Sequence, residues 1–264
     1  MNEASLTALD LALAGALVVL NAALSLLLDL GVARSLLIAG VRSVVQLLLV
    51  GLVLKTVFAL NSPLLIAAVV LAMIGMASYE IVSRQDRRFT GLWGAGIGAG
   101  TTMLATLFVT AVALATLAPS PWYAPQIVIP LAGIVLGSVM NGVSVSLNAF
   151  NTSVVRERAA IEARLALGDS RALAFKALQR SALRAGIIPI LNQMSAAGVI
   201  TLPGMMTGQI LAGMAPFEAA KYQIFVLLLL AGGSGLGAIA ATMVAVRRIS
   251  DTRDRLRLDR LAKS

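Results

Sequence analysis

Seven stretches of predominantly apolar residues, near 6–28, 35–57, 63–82, 91–117, 126–149, 186–210 and 221–246, constrain this 264-residue chain more than any motif in it. A bilayer's hydrocarbon core needs about 20 such residues to be crossed as a helix. Inside it no water meets backbone N–H and C=O groups, so each stretch must close its own hydrogen bonds by turning helical. The apolar fraction is 59% and the charged fraction 12%, against roughly 45–50% and 25% in soluble domains. The expected fold is therefore an all-α integral membrane protein with about seven transmembrane helices. It has one membrane domain, 1–246, followed by a basic tail, 247–264, and no room for a soluble catalytic domain.

Formal charge is +9, which in a soluble protein would point to nucleic acid. Its placement assigns it to topology. Of the 21 Lys and Arg, 19 lie in odd-numbered loops or the tail: Arg34 and Arg42, then Arg84, Arg87 and Arg88, then seven in 151–184 and seven in 247–264. Only Lys55 and Lys221 fall on the other side. Positive residues stay in the cytoplasm, so the expected N-terminus is outside and the C-terminus inside, in a bacterial inner membrane. The uncharged PSPWYAP at 119–125 puts Trp122 and Tyr123 at the outer interface, where aromatic belts form. The tail RRISDTRDRLRLDRLAKS reads as a solvated basic helix near anionic lipid. MNEASLTALD has no Lys or Arg, unlike the positive start of a cleaved signal peptide, so the first span is expected to stay.

With no Cys and no His, thiolate and imidazole chemistry is excluded, and with it the usual nitrogen and sulfur metal sites. No catalytic or metal-ligating residue is assigned. Nor does the chain contain G-x-x-x-x-G-K-[ST], so it lacks the phosphate-binding loop of an ATPase.

Between two apolar stretches lies a charged island, 151–184. Gly168-Asp169-Ser170 reads as one helix ending on glycine and a second starting on an Asp or Ser cap. On the second, Phe175, Leu178 and Ala182 fall on one face and Lys176, Arg180 and Arg184 on another. Two short amphipathic helices with a bend would fit a groove in a soluble partner. With Glu162 and Ala163 ahead of Gly168, the stretch resembles the cytoplasmic EAA loop of ABC-transporter permeases, departing from it at Arg164 and at Arg180-Ser181. The resemblance implies that Glu162, Ala163, Gly168, Phe175 and Arg180 contact an ATPase subunit.

A second polar segment interrupts the 186–210 span: Asn192 and Gln193, then Pro203-Gly204-Met205-Met206-Thr207-Gly208-Gln209. Proline removes a helical hydrogen bond, so a break near Pro203-Gly204 is expected. Irregular backbone at this depth is tolerated only where protein or a cavity covers it. Asn192, Gln193, Pro203, Gly204, Met205, Met206, Thr207 and Gln209 are therefore candidates for a translocation path, although the methionines also suit gap filling. Residues 202–224, LPGMMTGQILAGMAPFEAAKYQI, with 42–55 and 129–144, resemble the FetB-type iron-export permease family, the UPF0014 membrane proteins, which include plant aluminium-sensitivity permeases. The resemblance implies a homodimeric permease that binds no cofactor of its own and couples to ATP-Mg in a separate ABC ATPase to export iron or an iron chelate. A nucleotide sugar or other metabolite moved by the same machinery, an ATPase-independent transporter or channel, and a scaffold subunit are the alternatives.

Single cysteines at Ser120 and Ser153 test the orientation in this cysteine-free chain. In intact cells an impermeant thiol reagent should label position 120 and spare position 153; the reverse pattern would invert the topology.

Overall fold

A computed structural model describes residues 7–60, 62–251 and 253–262. Among these residues nine α-helices follow one another: α1 (Ala8–Leu27), α2 (Ala33–Leu60), α3 (Pro63–Ser83), α4 (Leu92–Leu117), α5 (Pro125–Arg156), α6 (Arg158–Ala166), α7 (Arg171–Ala196), α8 (Gly204–Leu211) and α9 (Pro216–Ile249). Among the described residues the only β pairing is three isolated bridges. Six helices, α1 to α5 and α9, are long and apolar enough to cross a membrane, and the protein is an all-α, multi-pass membrane protein. The seventh predicted span, 186–210, is divided between the end of α7, a turn and α8. The chain forms two compact units, Met1–Asn61 and Ser62–Ser264.

The first unit is the α1–α2 hairpin. Thr7 opens α1 with a capping box, accepting from the Asp10 amide while Asp10 accepts from the Thr7 amide at 2.8 Å. Asp29 and Gly31 take positive φ in the connection, and the Ser25 hydroxyl accepts the Val32 amide at 3.1 Å. Most Leu and Val side chains of both helices are exposed, as surfaces solvated by lipid would be.

The second unit is built around α5. Proline at the first turn of α3, α5 and α9 starts each helix where a missing N–H costs nothing. α5 and α9 run parallel: Gly142 meets Ser234, Val139 meets Gly233 and Gly237, and the Ser138 hydroxyl donates to the Leu230 carbonyl at 3.2 Å. α4 runs antiparallel to both, Ala105 and Val109 packing at Gly237 and Gly233. α7 lies antiparallel to α5, with the Phe175 and Phe150 rings 6.1 Å apart and Gly186 against Gly142 and Ser146. Hydrocarbon gives no hydrophobic drive for helices to associate, so close backbone approach at small residues supplies it. Glycines spaced four apart divide on this point. Gly94 and Gly98 and Gly233 and Gly237 do pack, whereas Gly96, Gly100, Gly204 and Gly208 face open space.

One end of this unit gathers its basic segments. Asn148 on α5 accepts the Asp86 amide at 2.9 Å and donates to the Asp86 carboxylate at 3.1 Å. Asn151, 0% exposed, donates to the Arg87 carbonyl at 2.8 Å. These two asparagines of α5 thus form a clamp on the α3–α4 loop. The tail joins the same end, and its described residues are not the solvated helix its composition implies. Ser250 pairs with Leu256 and Phe89 with Leu261, a 3₁₀ turn covers Leu258–Arg260, and Leu261 is buried. The Arg260 guanidinium donates to the Arg248 carbonyl at 2.6 Å and that of Ser250 at 3.2 Å, satisfying the open end of α9. Asp251 accepts the Arg255 and Arg253 amides and the Arg255 guanidinium, which hold its carboxyl at about 2. A depressed carboxylate stabilises the fold above its ordinary value of 3.8 and loses that contribution only as pH falls toward the folded value. The strap is therefore fully latched at neutral pH.

A Cβ at Gly186 would come to 2.6 Å of the Gly142 carbonyl and strike Ser146, while one at Gly75 meets nothing within 4 Å. Gly186→Ala should cost about 1–3 kcal/mol, the range for overpacking. Gly75→Ala should leave stability unchanged or slightly raised. Thermal unfolding of the two variants in detergent checks the contrast.

Candidate functional site

About midway along α5, helices α5, α7 and α9 leave an open groove of about 240 Å³. Gly133, Gly137, Ser138, Asn141 and Gly142 come from α5, Gly186, Pro189, Ile190 and Gln193 from α7, and Leu230 and Ser234 from α9. Glycine makes it: a side chain at Gly137 would point into open space, not into a neighbouring helix. Pro189 lacks the N–H that would bond the Ala185 carbonyl one turn earlier, next to Gly186. Deeper in, the Ser146 hydroxyl is buried beside Gly186 with no hydrogen-bond partner. The walls thus offer hydroxyls, carboxamides and backbone carbonyls with no charge. Neutral oxygen groups suit a hard cation that keeps its water. The volume falls below the roughly 300–1,000 Å³ of pockets for drug-sized ligands.

Of the expected path residues, only Gln193 lines this groove. Asn192, its neighbour, is exposed. The expected break at Pro203-Gly204 begins earlier: α7 stops at Ala196 and the chain turns through residues 197–203 before α8. The cause is Gly198, at φ +80°, which lets the amides of Ile200 and Thr201 both fold back onto the Ala196 carbonyl at 2.9 and 3.0 Å. Pro203 then caps α8, and the Thr207 hydroxyl is turned onto the Pro203 carbonyl at 3.2 Å. Gly204 is exposed, and Met205 and Met206 are half-buried, Met205 against the core. Gln209 holds a buried carboxamide oxygen without a partner.

The charged island also differs from its sequence reading. α5 runs on to Arg156, α6 is one short helix, and the second helix is not short, since α7 carries straight on into the bundle. Gly168 makes the expected corner at φ +95°, and Ser170 occupies the cap position without a side-chain cap bond. Glu162 pairs with Arg158 at 2.9 Å, and Ala163 is exposed beside it. Arg180 lies exposed between Lys176 and Arg184, as expected of a cationic face. Phe175 does not project as an apolar anchor. It is 0% exposed and fixes α7 to Phe150. The apolar side chain displayed at the corner is Leu167, 88% exposed, with Arg164 and Asp169 paired behind it at 2.8 Å. Sequence reasoning passed over Leu167 because helical periodicity says nothing about a residue after a helix's last turn. It also missed Gly137 and Gly186, whose role depends on which helix faces them.

The fold and the groove define a polytopic all-α membrane protein with a small polar groove about midway along α5 and a bent polar element at its basic end. The chain belongs to the "Uncharacterised protein family (UPF0014)", whose pattern matches residues 8–250. It is 34% identical to the "UPF0014 membrane protein slr1647" of Synechocystis, over 87% of this chain and 89% of that one. It is 32% identical to the "Probable iron export permease protein FetB" of Escherichia coli K12 over 100% of both. It is 30% identical to the "Protein ALUMINUM SENSITIVE 3" of Arabidopsis thaliana, over 76% and 72%. No solved structure matches the chain.

Gly137→Leu places a side chain in the groove without touching a neighbouring backbone. The variant should unfold at the parental temperature and yet lose most transport, measured as metal accumulation in cells; parental transport would show that nothing passes through the groove.

Proposed function

We propose that this chain is the membrane-spanning permease subunit of an ABC transporter that exports iron, as a hydrated ion or small chelate. A separate ATPase subunit would supply the energy from ATP-Mg. The observation that carries the reading is the corner at Gly168: a short helix, α6, joined through a positive-φ glycine to the root of α7, with one exposed leucine at the bend. A partner's cleft would cover Leu167, which the chain itself leaves 88% exposed. The full-length similarity to a relative named as a probable iron export permease supports the substrate, and an uncharged groove of about 240 Å³ suits a small hydrated cation better than a nucleotide sugar.

In this reading the basic end is cytoplasmic, the N-terminus is outside, and the protein works as a homodimer in a bacterial inner membrane. Glu162, Ala163, Gly168 and Arg180 form the contact with the ATPase together with Leu167, and Phe175 anchors the element from behind. ATP binding would draw two ATPase subunits together and push on each corner. α7 is continuous from Arg171 to Ala196, about 39 Å at 1.5 Å per residue, so the push moves Gln193 and Pro189 at its far end. The groove walls then shift relative to α5 and α9, and the population moves between inward-open and outward-open states. The polar groups of α8, Thr207 and Gln209, with Met205 and Met206, stand at the outer side as the exit.

Gly168→Val forces a β-branched residue into φ +95°, at roughly 1–2 kcal/mol for a left-handed conformation. The bundle should stay folded while copurification with the ATPase and iron-stimulated hydrolysis both fall severalfold. Leu167→Asp should do the same without backbone strain. If both variants keep full ATPase association, the corner is not the docking element.

A further inference from the structure

Groove-lining residues of α4 and α9 open a second hollow, of about 400 Å³, on the outer surface of the second unit. It follows α4 from Leu92 and Trp93 through Gly96, Ile97, Gly100 and Thr101 to Leu104, with Val244 of α9 as its other wall. Gly96 and Gly100 hollow it out, since a Cβ at either would meet nothing. Its one hydroxyl, Thr101, is turned onto the Ile97 carbonyl at 2.7 Å, which leaves the surface apolar. From Leu92 to Leu104 the groove rises about 18 Å, comparable with the ~15 Å depth of one leaflet in a ~30 Å hydrocarbon core.

Its mouth lies at the basic end. Arg248, one turn beyond Val244, stacks its guanidinium on the Trp93 ring at 4.8 Å. Two neighbouring cations are engaged: Arg260 with the Arg248 and Ser250 carbonyls, and Arg257 with Asp259 through two bonds of 2.9 and 2.8 Å. Arg248 makes no ion pair among the described residues, and its Nε is buried without a hydrogen-bond partner. An apolar groove one leaflet deep, closed at the interface by an arginine without a direct ion pair over a tryptophan, has the chemistry of a phospholipid turned inside out.

We infer that this groove holds an anionic phospholipid, one acyl chain against Gly96 and Gly100 and the phosphate on Arg248. The strap formed by the tail positions the site, because Arg260 secures the carbonyl of the same arginine. Binding there would tie the strap and the end of α9 to the lipid composition of one leaflet. The inference is independent of what the protein transports.

The chain has two tryptophans, so Trp122→Phe leaves Trp93 as a single reporter. That protein, reconstituted in phosphatidylcholine vesicles, is titrated with brominated phosphatidylglycerol or brominated phosphatidylcholine, whose bromine quenches tryptophan on contact. Half-maximal quenching should come at an about fivefold lower mole fraction of the anionic lipid, the preference that one arginine at an anionic surface supplies. Arg248→Gln should abolish the preference and Arg248→Lys keep it. Gly100→Leu, which fills the groove, should reduce the saturating quench by both lipids. Equal titration curves for the two lipids, a preference that survives Arg248→Gln, or quenching by neither because protein covers the groove would each overturn the inference. The comparison of lipids on the Trp122→Phe protein decides the matter even if an Arg248 variant fails to fold.

Discussion

The second unit depends on one contact, the approach of α7 and α9 to the middle of α5 at Gly142. A Cβ there would lie within 3.0 Å of the Ser234 carbonyl on α9, and one at Gly186 within 2.6 Å of the Gly142 carbonyl on α5. Three backbones therefore meet with only hydrogen at the glycines and the small Ser146 and Ser234 side chains beside them. In lipid, where burying a leucine gains little over leaving it exposed, dispersion at such short range is what holds helices together. The contact also fixes the spacing on either side of it. Toward the basic end the helices carry Phe150, Val154 and Phe175 and close into a core, and toward the other end they carry Gly137 and Gly133 and leave the groove open.

Because α7 takes part in that contact and also begins beside the Gly168 corner, one continuous helix, with Pro189 inside it, runs from the polar element to the groove. Side-chain carboxamides lock the neighbouring parts to it. Asn148 and Asn151 hold the α3–α4 loop against α5, and the tail strap holds α9 to that loop through the Phe89 and Leu261 pairing. Arg171 at the start of α7 lies 3.7 Å from Asp254 in the strap, an exposed pair that in such a setting is worth well under 1 kcal/mol. It ties little by itself. What it marks is that corner, loop and strap converge at one end.

Much of this was legible in the amino-acid order. Long apolar runs must be helices in a membrane, and the runs 63–82 and 91–117 match α3 and α4 to within a residue or so. Gly168 was legible as a corner because a glycine followed by Asp-Ser has a local conformational meaning. The groove was not legible. Gly133 and Gly137 have the same four-residue spacing as Gly233 and Gly237, yet Gly237 packs on Val139 and Val143 while Gly137 packs on nothing. Spacing says which residues share a face and is silent on what that face meets.

Hydrophobicity and backbone hydrogen bonding act along the chain, residue by residue. The order of amino acids by itself therefore determined that this is an all-helical membrane protein, where its helices run and where a glycine turns them. Phe175 as an inward anchor, Leu167 as the displayed side chain and the folded tail were decided only in three dimensions. Each depends on whether a surface of one helix is covered by another. That is a property of pairs of distant segments, and it exists only once Gly142, Gly186 and Ser234 have brought those segments together.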